Sequence, residues 1–276
     1  MSSLPVPARA RPGPAPAGYG GVVTRPVGEL LRQWRDRRRL SQLELAIRAD
    51  ISTRHLSFVE TGRSAPSRSM LLHLADELDI PLRERNRMLL AAGFAPVYPE
   101  TTVDSPALGP LRAGLRQVLA AHEPFPAVVL DSRWNLVDAN ASAALFTEGA
   151  ADHLLEPPLN VMRISLHPDG LARHIVNLAP WRAHQLDRLR RQIAVTADES
   201  LAALYEELSS YGPSTLDSEP TPGDLALPLR IRHRGHELSF ITIVATFGTP
   251  YDVTVSELMI ESFLPADEAT ASFLRS

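Results

Sequence analysis

Between residues 26 and 92 large apolar side chains recur at intervals of three and four: Leu30, Leu31 and Trp34, then Leu45, Ala46 and Ala49, then Met70, Leu71, Leu74 and Leu78. That spacing marks one face of successive short helices and predicts an all-α core made of these residues. Beyond residue 100 the period changes. Residues 126–131 and 134–140 are short apolar runs split by Asp131-Ser132-Arg133, which predicts a hairpin. Helical periodicity marks 111–122, 169–179, 181–195 and 198–210, the last with Asp198 as N-cap and Glu199 in its first turn. Residues 225–233 and 237–247 flank Arg234-Gly235-His236, and 255–264 is a further β-favouring run. Strands at both ends with helices between them predict an α+β unit, an antiparallel sheet with helices on one face.

A chain of 276 residues is more than one small core organises, so two cores are expected. Residues 1–23 are Pro, Gly, Ala and Arg with few large apolar side chains, and are expected to form a mobile basic tail. Their Gly18–Gly21 cluster lacks the preceding strand that a phosphate-binding loop needs. The helical domain is placed at 24–96 and the α+β domain at 105–265, with Pro96, Pro99, Pro106 and Pro110 punctuating the join.

Charge divides at the same place. Residues 1–100 hold 15 Arg against 10 acids and residues 101–276 hold 13 Arg against 22 acids, balances of +5 and −9. A basic half gains affinity from a polyanion that repels the acidic half, which points to a nucleic-acid-binding domain joined to a domain with another task. The absence of cysteine excludes disulfide frameworks, thiolate chemistry and Cys-based zinc sites. No run approaches the roughly 20 apolar residues of a membrane helix, and the start has no apolar signal core, so a cytoplasmic protein with no membrane partner is expected.

Ser41-Gln42-Leu43-Glu44 is a capping-box pattern that opens a helix running to Ala49; Asp50-Ile51-Ser52 turns the chain, and Ser52 caps a second helix ending near Thr61 and Gly62. At 100° per residue Leu56 and Val59 face inward, while Arg54, Ser57, Phe58 and Thr61 cluster outward. An outward Phe wastes apolar burial unless something covers it, and a thymine methyl in a major groove is one such cover.

Ser41-Gln42, Leu45-Ala46, Ile51-Ser52, Leu56, Val59-Glu60, Thr61-Gly62-Arg63, Pro66-Ser67, Leu74-Ala75 and Leu78 together resemble the phage-repressor-like (XRE-type) helix-turn-helix over about 65 residues. Asp50 stands where that family commonly has Gly in a positive-φ turn, a conformation Asp tolerates. The resemblance implies a five-helix domain whose third helix enters the major groove of a double-stranded DNA operator. It further implies base readers at Thr53, Arg54 and Phe58, and phosphate contacts from Gln42, Ser57, Thr61, Arg63 and Ser67. Arg35 and Glu60 resemble a partly buried ion pair between its first and third helices.

The acidic half carries no G-x-S-x-G elbow, P-loop, H-E-x-x-H or dinucleotide fingerprint, so no catalytic residues and no enzyme are expected. His167, His174 and His184 lack ligand spacing, so no metal is expected either. Asn160-Val161-Met162-Arg163, Leu166-His167-Pro168, Trp181-Arg182, Leu189-Arg190-Arg191 and Glu207-Leu208 resemble the ligand-binding domain of MmyB-like transcription regulators. What that resemblance implies is a PAS-like fold, a five-stranded antiparallel sheet with helices over one face, holding a fatty-acid-like ligand between sheet and helices with no obligatory cofactor. Val128, Leu130, Leu136, Phe240, Ile243 and Phe263 are expected on the sheet side of such a pocket. Arg163, His167, Arg173, Asn177 and Arg182 are expected as head-group contacts, with Trp181 among the ligand residues. The resulting expectation is a homodimeric transcription regulator controlled by a small apolar or fatty-acid-like molecule; the alternative is a DNA-binding regulator whose second domain only dimerises or docks a protein.

Overall fold

A computed structural model describes residues 26–213 and 226–276. The expected basic tail, its Gly18–Gly21 cluster and the first residue of the run 225–233 lie outside the described residues.

Five helices come first: α1 (Val27–Arg37), α2 (Gln42–Arg48), α3 (Thr53–Glu60), α4 (Arg68–Glu77) and α5 (Leu82–Ala91). The stop and start between α2 and α3 follow from local chemistry. Ser41 Oγ accepts from the Glu44 amide at 3.1 Å while Glu44 Oε2 accepts from the Ser41 amide at 2.7 Å, closing the capping box. Asp50 takes the expected left-handed turn at φ 49, and Ser52 Oγ accepts from the His55 amide at 3.1 Å to open α3. Leu31, Trp34, Leu45, Leu56, Leu71, Leu74 and Leu78 share one core with Met88 and Leu89 of α5. Gly28 fits where α1 crosses the end of α3: a Cβ there would lie 2.5 Å from the carbonyl oxygens of Val59 and Glu60, a contact that backbone cannot relieve.

Asn86 Nδ2 donates to the Tyr98 carbonyl at 2.7 Å and its Oδ1 accepts from the amides of Val97 and Tyr98, tying the connecting segment to α5. Then follow α6 (Gly109–Ala121), β1 (Ala127–Leu130), β2 (Leu136–Ala139), α7 (Val161–Leu166), α8 (Leu178–Thr196), α9 (Glu199–Ser209), β3 (Leu229–His233), β4 (His236–Thr246), α10 (Val253–Glu257), β5 (Met259–Pro265) and α11 (Glu268–Arg275). The sheet is antiparallel throughout in the order β2-β1-β5-β4-β3. Thus an all-α helix-turn-helix unit precedes an α+β unit of PAS-like order. Alternation along β1 sends Val128 and Leu130 into the large core under α7, α8 and α9, and Ala127 and Val129 against Leu115 and Leu119 of α6 on the other face.

Three expectations need correction. Residues 169–179 are not one helix: a 3-10 turn at Leu171–His174 is followed by a bridge from Ile175 to Ile231, and the Val176 amide donates to the Arg230 carbonyl at 2.8 Å. Pairing with β3 takes these residues from the helix. The run 255–264 does not begin as strand, because Asp252 accepts from the Val255 amide at 3.2 Å and caps α10, leaving β5 to start at Met259. Nor does the unit end at 265. α11 packs on the sheet, and Thr270 Oγ1 accepts from the Ser239 amide at 2.9 Å.

Candidate functional site

Leu56, Val59 and Glu60 hold α3 to the core, leaving its other side to solvent. Arg54 is exposed there, with Thr53, Ser57 and Phe58 half-buried. The Arg54 guanidinium lies 5.3 Å from the Phe58 ring centroid and the exposed Arg63 guanidinium 6.0 Å from the same ring, so two cations flank one aromatic. Exposed Thr61 donates to the Ser57 carbonyl at 2.7 Å, and exposed Ser67 caps α4 by accepting from the Met70 amide at 3.2 Å. Half-buried Gln42 donates from its Nε2 to Glu60 Oε2 at 2.8 Å. Glu60 also receives Arg35, Nε to Oε1 at 2.7 Å and NH2 to Oε2 at 3.1 Å, which fixes α3 against α1 as a buried pair.

The second feature is a cavity of about 470 Å³ between the sheet and the helical layer. Its wall is mostly apolar: Val128, Leu136 and Phe263 from the sheet, and Met162, Ile164 and Leu171 from the layer. Of the other residues expected on the sheet side, Leu130 and Phe240 are packed core, and Ile243 is half exposed on the opposite face. Strand alternation explains that correction: Phe240 and Ile243, three residues apart on β4, cannot share a face.

Among the six expected ligand residues only Trp181 lines the cavity, with its Nε1 donating to Ser165 Oγ at 3.1 Å. Arg163 instead forms two 2.7 Å hydrogen bonds to Glu207; those bonds lower the Glu207 carboxyl, which Tyr211 also donates to. Arg173 donates to the Gly149 carbonyl. Asn177 bridges to β3, giving a hydrogen bond to the Pro228 carbonyl at 2.8 Å and taking one from the Arg230 amide at 3.1 Å. Arg182 donates to the Pro213 carbonyl at 3.2 Å, and burial lowers its pKa. His167 packs edge-on against Tyr211 and His153. His153, His167 and Asp169 bring potential ligand atoms within 4.8 Å of one another, a grouping different from the three histidines weighed in the sequence; the His167 Nδ1 in it accepts from the Asp169 amide at 3.0 Å.

Sequence reasoning missed most of the wall, including its buried polar residues Gln185 and Glu261. Gln185 stands four residues after Trp181 and four before Leu189 on the buried stripe of α8, and Glu261 is the lone acid in an apolar strand. Both signals were visible as polar residues in apolar patterns.

Trp134 connects the cavity wall to the helical unit. It sits in the left-handed region at φ 67, under Arg188, whose guanidinium is 4.4 Å from its ring centroid. Trp134 Nε1 donates to Gln192 Oε1 at 2.8 Å, Gln192 Nε2 donates to the Ser132 carbonyl at 2.6 Å, and Ser132 Oγ donates to Glu257 Oε2 at 3.2 Å. Glu257 grips Arg83 of α5 through Nε at 2.7 Å and NH2 at 2.9 Å, while Arg83 NH1 donates to Glu100 at 2.6 Å. Beside this clasp burial raises the Glu84 carboxyl; Arg87 opposes that shift and Asp198 adds to it.

The family model described as MmyB-like transcription regulator ligand binding domain matches residues 111–276, and one described as helix-turn-helix domain matches residues 26–88. No match is found among curated proteins. Among solved structures, an RNA-binding light-oxygen-voltage receptor aligns at 18% identity over 90% of this chain and 59% of that chain, with a TM-score of 0.26, a likeness too slight to bear on fold or function. Among the described residues no helix is long and apolar enough to cross a membrane.

Proposed function

The chain belongs to the family defined by the MmyB-like transcription regulator ligand binding domain, preceded by a helix-turn-helix, and on that premise we propose a DNA-binding regulator switched by an apolar ligand in the 470 Å³ cavity. In this reading Thr53, Arg54 and Phe58 address base edges in the major groove, Arg54 by taking both acceptors of one guanine. Ser57, Thr61, Arg63, Ser67 and the free face of Gln42 address phosphates, supplying affinity and register but no sequence information. Two copies bind a two-fold operator with half-sites about 34–36 Å apart, and exposed Ile241 and Ile243 offer them an apolar contact.

The observation that carries the switch is the route from Trp134 on the cavity wall, through Gln192, Ser132 and Glu257, to Arg83 on the DNA-binding unit. A ligand shifts an equilibrium only by its differential affinity for two states, so it must alter a contact that also bears on the reading helices. A domain that only dimerised would bury a filled core; this apolar cavity favours the ligand reading. The resemblance to the MmyB-like ligand-binding domain implies a fatty-acid-like molecule, so an alkyl chain is the occupant in this reading.

The test is DNA affinity of the full chain, on an operator selected from random oligonucleotides, with and without saturating medium-chain lipid. A change of about five-fold or more is expected, the lower end of common allosteric coupling. Demonstrated ligand occupancy with unchanged affinity would contradict the switch.

A further inference from the structure

We propose that His153, His167 and Asp169 bind one divalent transition-metal ion of the zinc class. Their potential ligand atoms lie within 4.8 Å of one another, and among the described residues no other three His, Asp or Glu side chains meet in this way. Two imidazoles and one carboxylate are donors that zinc and its neighbours in the transition series accept, whereas magnesium and calcium take oxygen ligands. Nothing in this donor set depends on what fills the cavity.

His167 Nδ1 accepts from the Asp169 amide at 3.0 Å. A backbone amide only donates, so that ring nitrogen carries no proton and presents the lone pair a metal requires. It lies 4.0 Å from Asp169 Oδ2. Ligand atoms on a tetrahedral zinc, each 2.0–2.1 Å from it, stand about 3.3 Å apart, so a turn of the exposed Asp169 carboxylate closes the gap by about 0.7 Å. What is given up is one hydrogen bond from an exposed amide, which water can accept in its place. His153 is exposed, with its ring edge-on to that of His167 and the centroids 5.3 Å apart.

The three side chains come from two segments that the backbone already ties together. The Ala151 amide donates to the Asp169 carbonyl at 3.0 Å, and buried Leu154 anchors the 3-10 turn Asp152–Leu154 that carries His153. On the other segment the His167 amide donates to the Arg163 carbonyl at 2.8 Å and the Gly170 amide to the His167 carbonyl at 2.9 Å. Gly170 sits so close to α7 that a Cβ would lie 2.3 Å from the Ile164 carbonyl oxygen. Tyr211 packs edge-on against the His167 ring at 4.8 Å. Side chains held in this way lose little further freedom on converging upon an ion. The charge also suits a cation: Asp152 and Glu156 flank His153, residues 134–162 hold no Lys or Arg, and Arg163 is matched by Glu207 at 2.7 Å. Three protein ligands leave a position for water, the mark of an exchangeable ion. Bound there, it would pin the turn before Leu155 to the end of α7 at Ser165, both residues of the cavity wall.

The test is calorimetric titration of the untagged full chain, stripped with a chelator and dialysed, with zinc at neutral pH, alone and in excess magnesium. Binding is expected to saturate at one equivalent, and magnesium is expected not to compete. His153→Ala and Asp169→Asn, both at exposed positions, are each expected to weaken zinc by about tenfold or more, since even loss of an outer-sphere partner costs ten- to hundredfold. His236→Ala, at an exposed histidine outside the group, is expected to leave the affinity unchanged. Circular dichroism of each variant confirms that the fold is kept. Weak binding of several ions with no step at one equivalent would overturn the proposal. So would a one-equivalent site that both His153→Ala and Asp169→Asn leave at full affinity.

Discussion

Arg35 of α1 and Glu60 of α3 meet in a two-point ion pair, 2.7 and 3.1 Å, with side chains 9% and 2% exposed. The hydrogen bonds that Arg35 donates to Glu60 are the main cause of its raised pKa, against the desolvation that lowers it. Removing one partner strands the other charge in the core, so Arg35→Met is expected to cost about 3–5 kcal/mol of stability. Replacing both, Arg35→Met with Glu60→Leu, is expected to recover much of it. Urea denaturation followed by circular dichroism checks this; a single variant as stable as the wild type would show that the pair does not organise α1 against α3.

Trp134→Phe keeps an aromatic ring on the cavity wall and deletes the donor to Gln192. Ligand affinity is expected to change little, while the effect of bound ligand on DNA affinity shrinks by about 0.5–2 kcal/mol, the scale of coupling changes from single residues between sites. Glu257→Gln, which weakens the grip on Arg83, is expected to act in the same direction. Ligand titrations and DNA titrations on the same samples separate the two effects. A variant that binds ligand and still switches fully would break the route.

Much of the DNA-facing part was legible because its signals are local. Ser41, Glu44 and Ser52 announce helix starts within three residues, and Asp50 marks a positive-φ turn. The ligand-facing part was less legible because its partners are distant in sequence: Glu207 lies 44 residues from Arg163, and Ile231 lies 56 from Ile175. Arginines that look free in a sequence become structural when such partners arrive, while the polar residues left facing the cavity, Gln185 and Glu261, look like blemishes in apolar stripes. Tertiary pairing likewise overrode the helical periodicity of residues 169–179.

The Arg163–Glu207 pair should mark the acid limb of stability. Glu207 has a lowered pKa in the folded chain, the Arg163 hydrogen bonds being the main cause. A depressed carboxyl stabilises fully above its unfolded pKa, about 4.3, and loses that contribution as pH falls through the lower folded value. Glu207→Gln removes the titration, so wild type and variant should differ most above the unfolded carboxyl value and converge as the pH falls below it and through the lower folded value. Unfolding midpoints across that range test it; a constant gap would contradict the assignment.

The central claim is that α3 reads DNA with Arg54, and quantitative binding of wild-type and Arg54→Ala chains to a selected operator and to its single-base variants tests it most directly. The account predicts a loss of about 1–3 kcal/mol on the selected site and relaxed preference at one base pair, with preferences elsewhere retained. Binding by Arg54→Ala that is as tight and as selective as that of the parent chain would contradict it.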